Sequence, residues 1–269
     1  MQIRWEYLTP ADFKTLAKEE QVCLLPIGSL ERHGEHMPYG TDALVAHDVA
    51  CRAAAQEPCV VFPPYWFGQV HEAACFAGTI NFPTELLLKM LETLLDQIAQ
   101  NGFKKILIVN GHGGNRHFLE YFAMSQLDRE VDYTLYIAFV VGGPHFRALD
   151  IWEKPGGGHA DEGETSMAMA AAPGTVKMDC QPFPEPIEPL TDLKPLRDKG
   201  IHTGLWWYGM YPENVTGRPS AATQEKGEAA LSAAAQDLVD VIRTVKADSA
   251  APRLQREFYQ RVKAIKDLD

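Results

Sequence analysis

The segment TELLLKMLETLLDQIAQNGFKKILIVNGHGGN, residues 84–115, joins a helix pattern directly to a strand pattern. In its first half, apolar side chains recur at three- and four-residue spacing, and we expect Thr84 to cap this helix and Gly102 to follow its end. In its second half, KKILIVNG is an apolar run between lysines and a glycine, which is typical of a central strand buried on both faces. The segment therefore predicts a helix that leads into a buried strand of a parallel sheet.

Short apolar runs alternate with helical periodicity on both sides of this segment. Further strands are predicted at residues 23–28, 59–67 and 133–141, the second of them shortened by Pro63 and Pro64. Further helices are predicted at residues 43–56, 115–127, 164–172 and 220–247 and at the C-terminus. Residues 182–195 are rich in proline and predict a surface excursion. We expect one α/β domain over residues 1–269 with a mainly parallel sheet.

Composition and charge argue against several classes of protein. With 46% hydrophobic residues, a chain of 269 residues can bury a sizeable core. A net charge of -11 argues against a nucleic-acid partner, because phosphate binding needs a local excess of Lys and Arg. Five cysteines without C-x-x-C spacing indicate free, mostly buried thiols. Without a signal-peptide pattern or an apolar run near the about 20 residues that span a bilayer, we expect a cytoplasmic protein with no membrane partner.

Polar clusters follow two of the predicted strands, where ligand sites of open parallel sheets lie. The strand at 23–28 leads to Glu31 and His33, which point the same way if the chain leaves the strand extended, and Asp42 can return after a turn. The strand at 104–111 leads to His112. Each residue alone is explained by a solvated loop, but their shared position favours a divalent metal site for Zn, Mn or Fe.

A third cluster is GGGHADEGETS, residues 156–166. Acidic residues at the start of the predicted helix are explained by the helix dipole, which leaves His159 unexplained. A histidine that approaches on glycines can move onto a substrate and transfer a proton.

Five ordered motifs together resemble the creatininase family, the metal-dependent creatinine amidohydrolases and their relatives. They are LPIGSLERHGEHMPYGTD, FGQVHEAACFAGTINF, GFKKILIVNGHGGN, GHADEGETS and NVTGRPSAATQEKG, and the match runs from about residue 23 to 231. The resemblance implies a three-layer α/β/α sandwich, a metal site that is often binuclear, and a homo-oligomer that is commonly a hexamer. It also implies a small-molecule amide substrate.

Carried over by position, the family pattern makes Glu31, His33, Asp42 and His112 metal ligands, with Asp42 as the bridge between two ions. Glu164 of the ETS motif is the expected remaining ligand. His159 matches the histidine that transfers a proton to the substrate nitrogen.

This chain departs from the creatinine-hydrolysing members at two places. They carry Tyr-Glu, with a metal-binding Glu, where this chain has Gly113 and Gly114, and a tryptophan where it has Pro155. The HGGN variant is similar to members that act on formamide-type amides and on a modified peptide. The resemblance therefore implies hydrolysis of a C–N bond in a small cyclic amide, lactam or formamide, with creatinine as one candidate. The alternatives are a peptidase acting on a modified peptide and a non-catalytic metal-binding member.

Several other residues keep two interpretations. Gly113 and Gly114 expose backbone amides to a substrate, and Asn115 is either a third substrate-binding residue or the N-cap of the next helix. His36 is either a support for the ligands or an exposed loop residue, and His71 is structural or close to the site. The aromatic run Trp206, Trp207 and Tyr208 forms a subunit interface or a pocket wall.

Overall fold

The computed structural model describes residues 2–153 and 158–266, and within them four parallel strands form one sheet in the order β2-β1-β3-β4. The strands are β1 (Val22–Ile27), β2 (Val60–Val61), β3 (Lys105–Asn110) and β4 (Thr134–Phe139). The predicted central strand is confirmed, because β3 pairs with β1 on one side and β4 on the other. Ile27, Asn110 and Phe139 lie in register at the carboxyl edge of the sheet.

Helices cover both faces of this sheet. They are α1 (Pro10–Glu19), α2 (Thr41–Ala54), α3 (Thr84–Gln100), α4 (Asn115–Ser125), α5 (Pro144–Arg147), α6 (Glu162–Ala171), α7 (Lys194–Arg197), α8 (Trp206–Met210), α9 (Gln224–Ala247) and α10 (Ala250–Lys266). On one face, α2, α6 and α9 pack on Leu24 and Leu107. On the other, α1, α3 and α4 pack on Leu25 and Ile108. Alternate strand residues thus enter opposite cores, which confirms the three-layer α/β/α sandwich.

Several element boundaries differ from the predicted ones for local reasons. Strand β2 has only two residues because Pro63 and Pro64 have no amide hydrogen to continue the ladder, although Phe62 and Tyr65 still bond to β1. Helix α9 begins at Gln224 rather than at 220, because the Thr223 side chain caps it by accepting a hydrogen bond from the Lys226 amide. The expectation that Thr84 caps α3 is wrong. Thr84 is the first residue of that helix, and its hydroxyl bonds the ring of His71 at 2.8 Å.

Two glycines let α2 sit directly on the strand ends. A Cβ on Gly28 would lie 2.2 Å from the amide nitrogen of Ala43, and a Cβ on Gly111 would lie 2.3 Å from the carbonyl oxygen of Asp42. Only glycine fits such a close backbone approach. The first turn of α2, with Asp42, is therefore held against the carboxyl edge of β1 and β3.

The cysteines are free, as expected, but their burial differs from the prediction. Cys23 and Cys59 lie in the core, Cys51 is half-buried, and Cys75 and Cys180 are exposed. Within residues 2–153 and 158–266, no helix combines the length and the apolar composition needed to cross a membrane.

Candidate metal centre

Four titratable side chains from three segments meet at the carboxyl edge of the sheet. Glu31 and His33 lie in the loop after β1, Asp42 in the first turn of α2, and His112 in the turn after β3. Each is at most 4% exposed. Because burial of charged groups is unfavourable unless they are paired or coordinate a metal, such a cluster requires mutual neutralisation or a bound cation.

The carboxylate of Asp42 faces a different histidine with each of its oxygens. Oδ1 lies 3.1 Å from Nε2 of His33, and Oδ2 lies 2.9 Å from Nδ1 of His112. Oδ2 also accepts a hydrogen bond from the Ser29 hydroxyl at 2.7 Å. Asp42 therefore stands between two groups of ligand-type atoms.

The outer ring nitrogens of both histidines are fixed by backbone carbonyls. Nδ1 of His33 donates to the carbonyl oxygen of Glu31 at 3.0 Å, and Nε2 of His112 donates to that of Gln69 at 2.7 Å. A carbonyl can only accept, so the proton of each neutral ring sits on the outer nitrogen. The inner nitrogens then present their lone pairs, as metal-ligating histidines do.

Glu164 from the first turn of α6 joins the group around His33. Its Oε2 lies 3.6 Å from Nε2 of His33 and accepts a hydrogen bond from the amide of Ala160 at 2.7 Å. Two trios of candidate ligands result, and both include Asp42. One is Glu31, Asp42 and His112, and the other is His33, Asp42 and Glu164. Within each trio, the ligand atoms lie within 4.8 Å of one another.

The donor set fits divalent ions of the zinc, manganese or iron type. Every candidate ligand is a carboxylate or an imidazole, which suits these ions better than a structural cysteine site. Oε2 of Glu31 is buried and makes no hydrogen bond with any residue in the described part of the chain, although it lies 3.2 Å from Nδ1 of His112. A buried carboxylate oxygen without a hydrogen bond is the atom that a cation at this position would satisfy.

The carboxylates of the centre favour positive charge on its histidines. Burial disfavours the charged form of His33, but the carboxylates of Asp42, Glu164 and Glu31 together outweigh burial and raise the pKa of His33 to about 10. Burial likewise opposes the charge on His112, but Glu31 and Asp42 raise its pKa to about 10. Burial raises the pKa of Glu164 to about 8. The cluster therefore attracts positive charge.

His159 lies against the centre but differs from His33 and His112. Its ring is 4.1 Å from that of His33, and its Nε2 donates to the carbonyl oxygen of Arg32 at 2.9 Å. Its Nδ1 lies 3.7 Å from Oε2 of Glu164. Burial lowers the pKa of His159 to about 4, partly offset by Glu31, so the ring is neutral at pH 7. His159 also forms a third trio with Glu31 and His33.

The three residues after His112 occupy different environments. A Cβ on Gly113 would meet open space, whereas a Cβ on Gly114 would lie 2.5 Å from Nε2 of His112 and 2.7 Å from Oε1 of Glu72. Asn115 is the first residue of α4, with Gly114 at the N-cap position. Its fully buried amide donates to Asn110 and accepts from the Gln69 backbone, so it holds the loop that binds His112.

The remaining candidate residues lie in different environments. His36 is 1% exposed and its Nε2 lies 3.0 Å from the Thr165 hydroxyl, so the exposed-loop interpretation is wrong. His71 is exposed and bonds Asn81 and Thr84. Trp207 turns its ring towards His159, with 5.7 Å between centroids, whereas Trp206 and Tyr208 are exposed. Pro155 lies outside the described residues.

Asn214 is a site residue that sequence reasoning missed. It is fully buried and donates from Nδ2 to Oε1 of Glu31 at 3.1 Å. The available signal was its place at the start of the NVTGRPSAATQEKG motif, where its side chain had no assigned role.

A cavity of about 390 Å³ adjoins the centre, and Asp42 and Glu164 form part of its wall. Its other walls are mostly apolar and include Val45, Val140, Phe146, Leu149, Trp152 and Met167. Arg147 also lines it and forms no ion pair with any residue in the described ranges. The cavity has the size and the mixed lining of a small-molecule site.

The family model for creatininase, creatinine amidohydrolase, matches residues 6–242. The chain belongs to the creatininase family. It is 24% identical over 266 residues to 3-dehydro-scyllo-inosose hydrolase of Thermotoga maritima, with 90% of this chain and 83% of that protein covered. It is 30% identical over 214 residues to the mycofactocin precursor peptide peptidase of Mycolicibacterium smegmatis, with 76% and 77% covered.

Solved structures share the fold of this creatininase family member. A protein from Bacteroides fragilis classed with creatinine amidohydrolase superposes with a TM-score of 0.79 at 24% identity, covering 93% of this chain and 99% of that chain. A manganese form of creatininase gives a TM-score of 0.72 at 22% identity, with 91% and 98% covered. The expected family and fold are thus confirmed.

Proposed function

We propose that this creatininase family member is a metal-dependent amidohydrolase that cleaves a C–N bond in a small cyclic amide, lactam or formamide. The observation that carries the proposal is the position of Asp42, whose two oxygens face His33 and His112 in separate groups. One carboxylate shared between two trios of ligand atoms is what a binuclear site requires.

The two trios name the residues that would hold the ions. Glu31, Asp42 and His112 would hold one, and His33, Asp42 and Glu164 the other. Divalent ions supply a lowered pKa to water and polarise a carbonyl group. His112 and His33 present their lone pairs because Gln69 and Glu31 carbonyls hold the opposite nitrogens.

His159 provides the proton transfer that amide cleavage needs, because an amide nitrogen leaves poorly unless it is protonated. Its Nε2 proton is retained by the Arg32 carbonyl, which leaves Nδ1 free to accept a proton from the attacking water and pass it to the nitrogen. Its low pKa keeps Nδ1 unprotonated before the reaction begins.

A peptidase acting on a modified peptide is the second candidate, favoured by the 30% identity to the mycofactocin precursor peptide peptidase. An inosose-type substrate is also tested, because the chain is 24% identical to the 3-dehydro-scyllo-inosose hydrolase. A cavity of about 390 Å³ favours a small molecule over a long peptide.

The test begins with metal analysis of protein purified without added metal and then reconstituted with Zn, Mn or Fe. We expect two equivalents per chain, followed by turnover in a screen of creatinine, other lactams, formamides, 3-dehydro-scyllo-inosose and short peptides. Less than half an equivalent after reconstitution would contradict the proposal. Two equivalents without turnover of any amide would favour the non-catalytic member instead. Light scattering on the same sample tests the proposed homo-oligomer, for which a hexamer is expected.

A further inference from the structure

The side chain of Asn214 joins the aromatic segment Trp206–Met210 to a candidate metal ligand. Its Nδ2 donates to Oε1 of Glu31 at 3.1 Å and to the carbonyl oxygen of Arg32 at 2.5 Å. Its Oδ1 accepts a hydrogen bond from Nε1 of Trp207 at 2.6 Å. An indole nitrogen can only donate, so Trp207 fixes which end of the amide faces Glu31.

The backbone of Asn214 adds to this attachment. Its carbonyl oxygen accepts a hydrogen bond from the amide of Gly34 at 3.1 Å. Its φ of 52° lies in the left-handed region, which asparagine tolerates better than most residues. Asn214 therefore holds the loop between Glu31 and Gly34 by side chain and backbone together.

The two oxygens of Glu31 consequently have different roles. Oε1 is bound by Asn214, whereas Oε2 makes no hydrogen bond within the described residues and lies 3.2 Å from Nδ1 of His112. Because a hydrogen bond to one oxygen fixes the rotation of a carboxylate, the other oxygen is directed at the trio that Glu31 forms with Asp42 and His112.

We infer that Asn214 is a positioning residue that makes Glu31 a ligand through Oε2 alone, and that Trp207 anchors Asn214 in this role. The inference rests on the metal centre of the proposed function and adds a residue to it. Trp207 also touches the ring of His159, at 5.7 Å between centroids, so one indole contacts both the support of a ligand and the proton-transfer histidine. The aromatic segment Trp206–Met210 therefore helps to hold the residues of the metal centre in place.

The test uses Asn214→Gly, which removes the amide while keeping a residue that adopts a positive φ without strain. Trp207→Phe keeps an aromatic ring and removes only the donor, and Trp206→Phe is the matched control at the neighbouring exposed indole. Metal stoichiometry and affinity are measured with Zn²⁺ by competition against a chelator. Absorption spectra with Co²⁺ report the coordination number.

In Asn214→Gly we expect about a 10- to 100-fold loss of affinity for one ion and little change for the other. The weakened ion should be the one that His112→Ala also loses, not the one that Glu164→Ala loses. Glu31 becomes free to bind with both oxygens, so the Co²⁺ absorption should weaken as the coordination number rises. Trp207→Phe should weaken the same ion by a smaller factor, and Trp206→Phe should match the wild type.

Different outcomes overturn different statements. Wild-type affinity for both ions and an unchanged Co²⁺ spectrum in Asn214→Gly would overturn the role of Asn214 and leave the proposed function standing. Equal weakening of both ions would also overturn it, because that result indicates a general loss of structure. Failure of the wild-type protein to bind either ion would overturn the proposed function and this inference together. If Asn214→Gly does not fold, Trp207→Phe decides by the same criteria.

Discussion

Oε2 of Glu164, in α6, lies 3.6 Å from Nε2 of His33, in the loop after β1, although the two residues are far apart in the chain. The contact arises because α6 packs against α2 and α9, which brings its first turn to the carboxyl edge of the sheet. Glu164 thereby brings its carboxylate to the centre. A side chain at position 114 would meet His112 and Glu72.

Asp42→Ala should remove both ions and abolish turnover, because Asp42 contributes an oxygen to each trio. Metal analysis after dialysis measures the loss. Asp48→Ala is the control, since Asp48 lies on the same helix and bonds Arg52 instead. Retention of two equivalents in Asp42→Ala would contradict the bridging assignment.

His159→Ala should keep both ions and lose turnover by about 10²- to 10⁴-fold, the usual contribution of a positioned acid or base. Metal content and kcat are measured on the same preparation. His71→Ala, at an exposed histidine, should change neither. Loss of one ion from His159→Ala would instead make His159 a ligand through its trio with Glu31 and His33.

Gly113→Ala and Gly114→Ala form a matched pair one residue apart. A Cβ at 113 meets open space, whereas a Cβ at 114 would lie 2.5 Å from Nε2 of His112. Gly114→Ala should therefore cost about 1 to 3 kcal/mol of unfolding free energy and weaken metal binding, while Gly113→Ala should be close to wild type. Thermal unfolding with and without metal measures both effects. Equal unfolding free energies and equal metal binding in the two variants would show that the turn after β3 relaxes to accommodate the added methyl group.

The stability contributed by Asp237 should depend on pH. Burial opposes its ionisation, but hydrogen bonds from the amides of His145 and Phe146, together with the His145 ring, outweigh burial and hold the pKa of Asp237 below its usual 3.8. A carboxyl with a lowered pKa in the folded state stabilises the protein above its unfolded pKa, and this contribution is lost as pH falls through the folded value. Asp237→Asn should cost about 1 kcal/mol at pH 6, as for a lost hydrogen-bonding group, and less as the pH falls below the usual 3.8. Thermal unfolding from pH 3 to 6 tests this prediction, with Asp240→Asn as the exposed control. A stability difference between Asp237→Asn and the wild type that does not change with pH would contradict it.

Arg147→Gln should raise KM for amides that carry a carboxylate and leave neutral amides unaffected. Its guanidinium lines the cavity without an ion pair to any described residue, so an anionic substrate group can approach it. Because Arg147 is exposed, the effect should be roughly two- to fivefold, about 0.5 to 1 kcal/mol. Arg253→Gln, on the outer helix α10, is the control. An equal rise in KM for neutral and anionic amides would show that Arg147 shapes the cavity rather than binding charge.

The sequence by itself determined the fold class, because periodicity is a local property. Apolar runs of β1 and β3 and the spacing in α3 and α9 identify elements without knowledge of their partners. It also determined that Glu31, His33 and His112 leave strand ends on one edge, since parallel strands share their direction. The predicted cap at Thr84 and the predicted length of β2 were wrong, because both depend on hydrogen bonds with neighbouring segments.

Only the tertiary structure decided how these residues are oriented towards one another. That Asp42 divides its oxygens between two histidines follows from the close approach of α2 to Gly28 and Gly111. Asn214 lies far from Glu31 in the chain and has a left-handed backbone conformation, and the fold brings its side chain to one oxygen of Glu31. Periodicity records which face a side chain occupies, but a hydrogen bond between distant segments depends on packing, which no local pattern contains.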